Sequence, residues 1–497
     1  MDVMLVLGNQ LFNPELALRQ GLKAEKTLVY MREDRELCTH FRYHQQKIVL
    51  FLAAMRGYAE ELRSFGFRVH YEPLGPNSLS YDDAFSLFLK ENKVERVFHY
   101  EIEDKFFETR IRALLASRGV KAQEWESPMF LTPRPLFQAY LKDVKKPFMK
   151  TFYERQRQRL NVLVDAKKKP LGGKWSYDEE NRLSLPKDHK TPALPAYKPS
   201  KIETEVITLV AREFEDHPGR ASEFWIPTTR EGARSWLDDF LKKRLEEFGP
   251  YEDALPRHSP FVYHSLLTPF LNLGLLTPAE VLRKTLDFAE NKDIPLNSLE
   301  GFVRQVMGWR EFVRGIYQNF SERQDSTNYW KHTRRLTSHW YEGNTGIQPL
   351  DDAIQKTLRY GYAHHIERLM VIGNLMLLLE VDPREAHRWF MEMFLDSSDW
   401  VMGPNVYGMA LFSDGGIFAT KPYICGSNYY RKMGPYKTGS WQPGVDGLYW
   451  GFIAKHRDFF TQNPRLGMMV RTLDKMDPEK VKLIAQAADE LRARLTQ

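Results

Sequence analysis

Two adjacent histidines and an arginine stand in an otherwise apolar stretch, YGYAHHIERLMVIGN, between Tyr360 and Asn374. No proline occurs from residue 351 to residue 381, and apolar residues recur at helical spacing, so we expect one buried helix. On that helix His364 and Arg368 share a face. Polar groups in a core need partners, and an imidazole titrates close enough to neutrality to donate a proton. The simpler alternative is a pair of core histidines that bond to neighbouring carbonyls.

A second group of polar side chains lies in the segment 258–282. His264, Ser265 and Thr268 fall at the expected start of a helix, where free backbone N–H groups and the helix dipole favour a phosphate. Serine and threonine hydroxyls would add hydrogen bonds to the same anion. These residues are also ordinary helix caps, so the alternative is a purely structural turn.

Two further segments of the same half have compositions suited to a ligand. In residues 299–317, Trp309 and Arg310 precede a glutamate, and a surface ion pair beside a core tryptophan is the ordinary interpretation. Residues 397–430 combine Gly, Asn, Asp and aromatic side chains with enough apolar character to be buried. That mixture is typical of a lined pocket.

The whole-chain composition limits the classes of protein that this sequence can specify. The 497 residues are 42% hydrophobic and 13% aromatic, with a net charge of +6, which permits a polyanionic partner without requiring one. The two cysteines, Cys38 and Cys425, form no spaced motif, which argues against a disulfide framework or a zinc site. The chain opens with a short apolar run that lacks a basic leader, and no stretch is long enough to span a membrane. We therefore expect a reduced, cytoplasmic protein.

Strands and helices of an α/β domain must occupy the first 130 residues, because short β-rich runs alternate with amphipathic helices there. The helix is clearest at about 44–65, and the pattern predicts a doubly wound, Rossmann-like parallel sheet. The expected strands are Val3–Leu7, Thr27–Met31, Arg68–Glu72, Arg96–Tyr100 and, more weakly, Lys121–Trp125.

The first turn after a strand is GNQL, not GxGxxG, so a dinucleotide fingerprint is absent. A ligand of such a sheet binds at the carboxyl ends of its strands. The residues at those ends are Gly8, Asn9, Gln10 and Glu33.

A basic connector, 131–201, follows the α/β domain, and a large all-α domain, 202–497, completes the chain. Between Lys142 and Lys174 there are 11 Lys and Arg against 3 Asp and Glu, in an irregular order with proline. Such a run is either a solvated face or a phosphate-binding edge.

Read together, the segments resemble the photolyase/cryptochrome superfamily. They are most similar to its prokaryotic (6-4) photolyase branch, the deoxyribodipyrimidine photolyase-related proteins. The resemblance covers nearly the whole chain in order. Its motifs are GNQL, YHQQKIVLFLAAMR, KPLGGKWSYDEENR, HSLLTPFLNLGLLTP, GWREF, HHIERLM, SDWVMGPNVYGM and DGGIFATKPY.

The resemblance implies an FAD folded into a U-shape inside the helical domain. The flavin would be stabilised by a buried pair between Arg368 and Asp399, with Asn405 facing its N5. The residues implied to hold the rest of the cofactor are His264, Ser265, Leu266, Leu267 and Thr268 at the pyrophosphate, with Trp309 and Arg310 on the tryptophan–arginine–glutamate helix.

The implied activity is light-driven repair of pyrimidine (6-4) photoproducts in UV-damaged double-stranded DNA, by electron transfer from photoexcited FADH⁻ to a flipped-out lesion. The resemblance assigns His364, His365, Tyr423 and Met409 to the lesion pocket, with His365 as the proton donor. For the DNA face we predict Lys150, Arg155, Arg159, Lys174 and Lys421. The alternative is a blue-light photoreceptor of the same fold. We expect a monomer.

The chain departs from this branch at its iron–sulfur site. The four positions that align with the cluster's cysteines are Pro349, Lys437, Ser440 and Pro443. None of these is a ligand for such a cluster, so we predict no iron–sulfur cluster and no other metal.

Electron supply and light harvesting are the remaining expectations. Trp389 matches the tryptophan nearest the flavin, but Phe390 and Tyr341 stand at the next positions, so the route would use Tyr341 or its neighbour Trp340. A 6,7-dimethyl-8-ribityllumazine antenna at the strand ends is one expectation; an empty or different pocket is the other.

Overall fold

The first domain is built on one parallel sheet. The structure, a computed structural model, describes residues 1–75, 79–186, 188–255, 260–463 and 466–497. The sheet has the strand order β3-β2-β1-β4-β5, and every neighbouring pair is parallel. The strands are β1 (Asp2–Leu5), β2 (Leu28–Arg32), β3 (Arg68–Glu72), β4 (Arg96–Tyr100) and β5 (Lys121–Trp125). The predicted doubly wound sheet is confirmed, and β1 and β2 differ from their predicted bounds by one or two residues at an end.

Helices cover the two faces of this sheet. They are α1 (Pro14–Arg19), α2 (Arg35–Thr39), α3 (Gln45–Ser64), α4 (Tyr81–Glu91) and α5 (Lys105–Ser117). The winding direction reverses between β1 and β4, and that switch point opens a crevice at the carboxyl edge. Helix α3 is anchored at its start by His44, whose Nδ1 accepts the N–H of Gln46. The buried ring of His44 also donates through Nε2 to the carbonyl of Leu358 in the helical domain.

The basic connector is more ordered than its composition suggested. It contains α6 (Arg134–Asp143) and α7 (Met149–Leu160). Phe137 and Phe152 from these helices pack against Phe312, and the ring of Phe137 lies so close to Gly315 that a Cβ there would clash. The two helices bury apolar faces against the helical domain.

The rest of the chain is helical. Its helices are α8 (Lys201–Glu213), α9 (Arg230–Lys243), α10 (Leu245–Phe248), α11 (Thr268–Leu273), α12 (Pro278–Glu290), α13 (Leu296–Val303), α14 (Arg310–Ser326), α15 (His339–Glu342), α16 (Gln348–Tyr360), α17 (Asn374–Leu378), α18 (Pro383–Met393), α19 (Asp399–Gly403), α20 (Ser427–Met433), α21 (Trp441–Lys455), α22 (Arg457–Gln462), α23 (Gly467–Leu473) and α24 (Pro478–Leu495). Within the described ranges, no helix has both the length and the apolar character that a bilayer crossing needs.

Segments of π-helix occur at three places, Arg304–Trp309, Glu367–Gly373 and Pro404–Ala410. Each lies in a segment that the sequence analysis selected for its chemistry. Gly373 brings the second and third together, since a Cβ there would lie 2.7 Å from the Cβ of Ala410. Such bulges widen a helix locally and are frequent at functional sites.

Candidate active site

A break in the central helix positions the two histidines. Helix α16 ends at Tyr360, and Gly361 takes a left-handed conformation with φ of 58°. The expectation of one continuous helix from residue 351 to 381 is therefore wrong. Glycine permits this turn, and a Cβ at Gly361 would lie 2.7 Å from Leu395. Helical structure resumes at His365, so His364 is the last of the four non-helical residues between the two helical segments.

Arg368 forms a bidentate ion pair with Asp396. Its Nη1 and Nη2 lie 2.9 and 3.2 Å from the two carboxylate oxygens, and its Nε donates to the carbonyl of Ala363. Both side chains are largely buried. The predicted pairing of Arg368 with Asp399 is wrong. Asp396 comes three residues earlier, directly after the extended Phe394–Leu395 segment, and only its carboxylate reaches the guanidinium.

His364 is fully buried and lacks a hydrogen-bond partner on either ring nitrogen. Its Nε2 is 3.6 Å from the carboxylate of Glu367, beyond hydrogen-bonding distance, and its ring centroid is 5.1 Å from that of His264. Burial, followed by the charges of Lys356, His365 and Arg368, lowers the pKa of His364 well below its usual value. A neutral imidazole still carries one N–H, which needs an acceptor in such a setting.

His365 is exposed, unlike its buried neighbour His364. The side chain retains accessible surface, whereas surrounding protein lowers its pKa to about 4, with a further contribution from Arg368. The lowered pKa favours the neutral ring at pH 7, whereas a value near 7 was expected. In this state His365 can donate one hydrogen bond, and it becomes a proton donor only beside developing negative charge.

The segment 264–268 has the features of an anion cradle. Among the described residues, the backbone N–H groups from Ser265 to Thr268 donate to no protein acceptor, and neither hydroxyl is bonded to protein. Leu266 holds a positive φ of 59°, which turns the local peptide groups. The segment is fixed from behind by Trp236, which donates to the carbonyl of Ser265. Arg244, which is fully buried, donates to the carbonyl of His264. His258 and Ser259, at the start of the predicted segment, lie outside the described residues.

The tryptophan–arginine–glutamate helix joins the helical domain to the chain before α6. Arg310 donates to the carbonyl of Met129 and lies over the rings of Phe130 and Trp400, at 4.5 and 4.8 Å. Burial lowers the pKa of Arg310 to about 10. The neighbouring glutamate, Glu311, is buried and accepts the N–H groups of Leu131 and Thr132. Arg310 and Glu311 therefore bind the helical domain to residues 129–132. Their interpretation as a surface ion pair is wrong.

The other residues expected around the flavin and lesion lie on neighbouring elements. Trp309 is half-buried, with its ring 6.0 Å from Phe418. Asn405 donates through Nδ2 to the carbonyl of Val401. Met409 is 5% exposed and packs in the core. Tyr423 is half-buried, and burial raises the pKa of its phenol, with smaller contributions from Asp178 and Arg182 of the connector. Their proposed contacts with ligand stay predictions.

Aromatic rings run outward from Arg368. Its guanidinium lies 4.0 Å from the ring centroid of Phe394. The ring of Phe394 is 5.8 Å from Trp389, and Trp389 is 6.4 Å from Trp340. Tyr341, next to Trp340, is half-buried. The three residues predicted to carry electrons are thus gathered at one end of α18.

The crevice at the sheet's carboxyl edge is a cavity shared by the two domains. Gly8 and Asn9 line it as predicted, and Asn9 donates to Asp104. A buried basic side chain of this cavity is Lys47, whose Nζ donates to the hydroxyl of Ser397 at 2.8 Å and lies 3.8 Å from the ring centroid of Tyr43. Burial lowers the pKa of Lys47 to about 7. Asp399, which was expected at the flavin, lines this cavity instead.

Two of the predicted antenna residues are occupied by structural contacts. Gln10 is buried and donates to the carbonyls of Tyr100 and Glu101, so it ties the ends of β1 and β4 together. Glu33 accepts from Arg56, from Tyr71 and from the N–H of Leu74. With its carboxylate filled by protein donors, Glu33 is not available as the direct acceptor for a ligand that we expected.

The predicted DNA-binding residues differ in solvent exposure and in their contacts with the rest of the protein. Lys150 is exposed, and Arg155 and Lys174 are exposed but paired with Asp143 and Glu180. Arg159 donates to the carbonyl of Leu131 and to Gln156. Lys421 is half-buried.

Sequence reasoning missed Asp396, Lys47 and Arg244, and also Glu392, which accepts the hydrogen bond of the Tyr341 phenol. Asp396 had a signal, because it is one of two acids in the DSSD run. Lys47 had one as well, since it is a single cation in the apolar helix QQKIVLFLAAM. Within the described residues no group of three or more His, Cys, Asp or Glu is arranged to hold a metal ion.

Comparison with known proteins identifies the family. The family model described as deoxyribodipyrimidine photo-lyase-related protein matches residues 4–226, and the model for the FAD binding domain of DNA photolyase matches residues 302–438. A (6-4) photolyase of Agrobacterium fabrum is 32% identical over 504 aligned residues, which cover 99% of each chain. The chain belongs to the deoxyribodipyrimidine photo-lyase-related family. The predicted resemblance is thereby confirmed.

Solved structures agree on the fold of this photolyase-related chain. A bacterial class III photolyase from Agrobacterium tumefaciens superposes with a TM-score of 0.60 at 16% identity, over 99% of this chain and 98% of the other. A cryptochrome from Synechocystis sp. PCC6803 superposes with a TM-score of 0.59 at 14% identity, over the same shares.

The residues of the helical domain fit an FAD. The free amides from Ser265 to Thr268 offer donors to a pyrophosphate. The unpartnered nitrogens of His364 lie beside that segment, and the Arg368–Asp396 pair offers a cation that can stabilise a reduced flavin.

Proposed function

We propose that this protein is a light-driven (6-4) DNA photolyase. The observation that carries the proposal is the exposed ring of His365, three residues before Arg368 of the largely buried Arg368–Asp396 pair, in a chain with full-length similarity to a (6-4) photolyase. The bound FAD would supply a photoexcited electron to the lesion. The protein's own residues would bind the damaged strand, exclude water and place a hydrogen-bond donor on the lesion.

The two histidines would act on different sides of the chain. His364 lies against His264 and would complete the cofactor's cradle with its free ring nitrogen. His365 is exposed, and its N–H would donate to the flipped lesion. A neutral imidazole has a high cost of charging in this site, so it would release or share its proton only as the lesion gains negative charge.

The lesion would enter between the helical domain and the connector. Tyr423 and Met409 would form part of the wall of an apolar, aromatic pocket of the kind that flipped bases require. The connector side carries Lys150 and Lys174 on its exposed surface, and these would meet the phosphates of double-stranded DNA. Affinity for DNA should therefore fall steeply with salt.

The shared crevice would hold an antenna chromophore. Its aromatic walls, with Asn9, Lys47 and Asp104 as polar groups, suit a planar heteroaromatic ring such as a ribityllumazine. We also propose that the helical domain folds without an iron–sulfur cluster, because Pro349, Lys437, Ser440 and Pro443 offer no thiolate.

A pair of variants tests the role of His365. His365→Ala should retain FAD and bind lesion-containing DNA with nearly unchanged affinity, yet lose repair under light, because only the donor is removed. His364→Ala should instead lower FAD content. Retention of full repair by His365→Ala would refute the assignment of the donor.

His70→Ala is the matched control, because His70 is an exposed histidine on β3 that does not line the crevice. It should repair like the wild type. A protein that binds FAD but repairs no lesion in any variant would instead be a photoreceptor of the same fold.

A further inference from the structure

The aromatic residues at the outer end of the electron route differ in the acceptors of their protons. The indole N–H of Trp389 donates to the backbone carbonyl of Trp340, at 3.0 Å. The indole N–H of Trp340 donates to the carbonyl of Leu495, also at 3.0 Å. Both indoles are fully buried. An amide carbonyl is too weak a base to take a proton from an oxidised indole, so neither tryptophan has a proton acceptor at hand.

Tyr341 has such an acceptor. Its phenol donates to Oε2 of Glu392 at 2.6 Å, the length of a charge-assisted O–H···O⁻ bond. Glu392 is 6% exposed, so water does not compete for the carboxylate. The charged groups that face the tyrosine are Glu392, Arg388 on the same helix and Arg42, whose guanidinium lies 4.9 Å from the ring centroid.

The pair also lies in the right place. Tyr341 follows Trp340 on α15, and Glu392 follows Trp389 by three residues on α18, about one turn. The contact between Tyr341 and Glu392 therefore joins the same two helices as the contact between Trp340 and Trp389. Phe390, which is a poor electron donor, occupies the neighbouring position on α18.

We propose that Tyr341 is the terminal internal electron donor of this protein and that Glu392 is its proton acceptor. Trp389 would donate one electron to the photoexcited flavin, and the oxidised Trp389 would then be reduced by Tyr341, directly or through Trp340. The phenolic O–H bond of Tyr341 then breaks: its electron passes inward, and its proton passes to Oε2 of Glu392. The products are a neutral tyrosyl radical and a glutamic acid, with no atom or charge unaccounted for.

Coupling electron transfer to proton transfer would slow charge recombination, so the reduced cofactor would persist for longer. Return of the electron to Tyr341 requires return of the proton from Glu392, whereas a buried tryptophan radical cation needs only the electron. The inference rests on the proposed function, because it requires FAD to be bound and photoreducible.

Flash photolysis of the FAD-loaded full-length protein, with radical identification by electron paramagnetic resonance, tests the proposal. Wild type should form a tyrosyl radical, and its formation should be slower in D₂O than in H₂O. Glu392→Gln keeps a hydrogen-bonding group but cannot accept the proton. It should lose the tyrosyl signal, lose the isotope dependence and show a tryptophan radical that recombines faster.

Tyr341→Trp gives a second test should Glu392→Gln lose its cofactor. It should photoreduce with a tryptophan radical whose kinetics are the same in H₂O and D₂O. Glu290→Gln is the matched control, since Glu290 is an exposed acid at the end of α12. It should behave like the wild type.

The outcomes separate the two proposals. A persistent tyrosyl radical in Glu392→Gln, or a wild type with only tryptophan radicals, would overturn the role of the pair even if chemically reduced protein repaired DNA under light. A wild type with bound FAD that forms no radical on illumination and repairs nothing when reduced chemically would overturn both.

Discussion

Removal of the Asp396 carboxylate should be the most damaging single change at the flavin site. In Asp396→Asn the guanidinium of Arg368 loses the negative charge of its partner and one of the two bonds, at 2.9 and 3.2 Å, because the amide NH₂ is a donor. Removing one partner of a buried pair leaves an uncompensated charge, which costs roughly 3 kcal/mol or more. Because Arg368 is 16% exposed, we take about 2–3 kcal/mol as the expected loss.

The lost free energy should appear partly as a lower free energy of unfolding and partly as weaker FAD binding. If it appeared wholly in FAD affinity, Kd would rise about 30- to 150-fold. The assay is FAD titration of apoprotein by flavin fluorescence, alongside denaturant unfolding of the same sample. Asp399→Asn is the matched control, because Asp399 lies three residues away and faces the other cavity.

Asp399→Asn should leave FAD affinity within about twofold, which corresponds to less than 1 kcal/mol. The reasoning would be refuted by the reverse pattern, in which Asp399→Asn loses the flavin and Asp396→Asn retains it.

Three further outcomes follow from the structure. Glu33→Gln should destabilise the α/β domain by about 2–3 kcal/mol in denaturant unfolding, since it weakens a buried pair with Arg56; unchanged stability would show that the contacts of Glu33 are not structural. Burial lowers the pKa of His44 to about 4, so the unfolded chain takes up a proton that the folded chain rejects. Its contribution of roughly 3 kcal/mol is complete above about pH 6.5 and is lost as pH falls toward 4; His44→Asn should flatten this acid limb of the unfolding curve, and an equally steep limb would contradict the burial argument. Lys421→Ala should weaken binding of lesion DNA and reduce the slope of log K against log salt by about 1, whereas Lys23→Ala on the α/β domain should change neither.

Local rules account for most of the fold that the sequence predicted. The strand β4 was predicted at its observed bounds because alternation and flanking breakers are local signals, and α3 begins one residue after its predicted start. The prediction of one continuous central helix was wrong because of a contact with a residue distant in the sequence. Gly361 lies inside the stretch that was expected to be helical, but it takes a left-handed conformation, and the side chain of Leu395 occupies the space that a Cβ would need.

The site was predicted by residue type better than by pairing. Asp396 and Asp399 are equivalent acids in the sequence, but in the structure Arg368 lies over the ring of Phe394 and pairs with Asp396. Glu33 was expected to bind a ligand, but its donors come from α3 and β3, distant in sequence. Pairings of that kind depend on the assembled sheet and cannot be read from spacing.

The central claim is tested most directly by illuminating the reduced protein with oligonucleotides that carry a single (6-4) photoproduct or a single cyclobutane dimer, with dark samples in parallel. Chromatography of the digested DNA would measure the restored pyrimidines. The account predicts light-dependent loss of the (6-4) lesion and none in the dark. A reduced, FAD-containing protein that leaves the (6-4) lesion intact under light would contradict it.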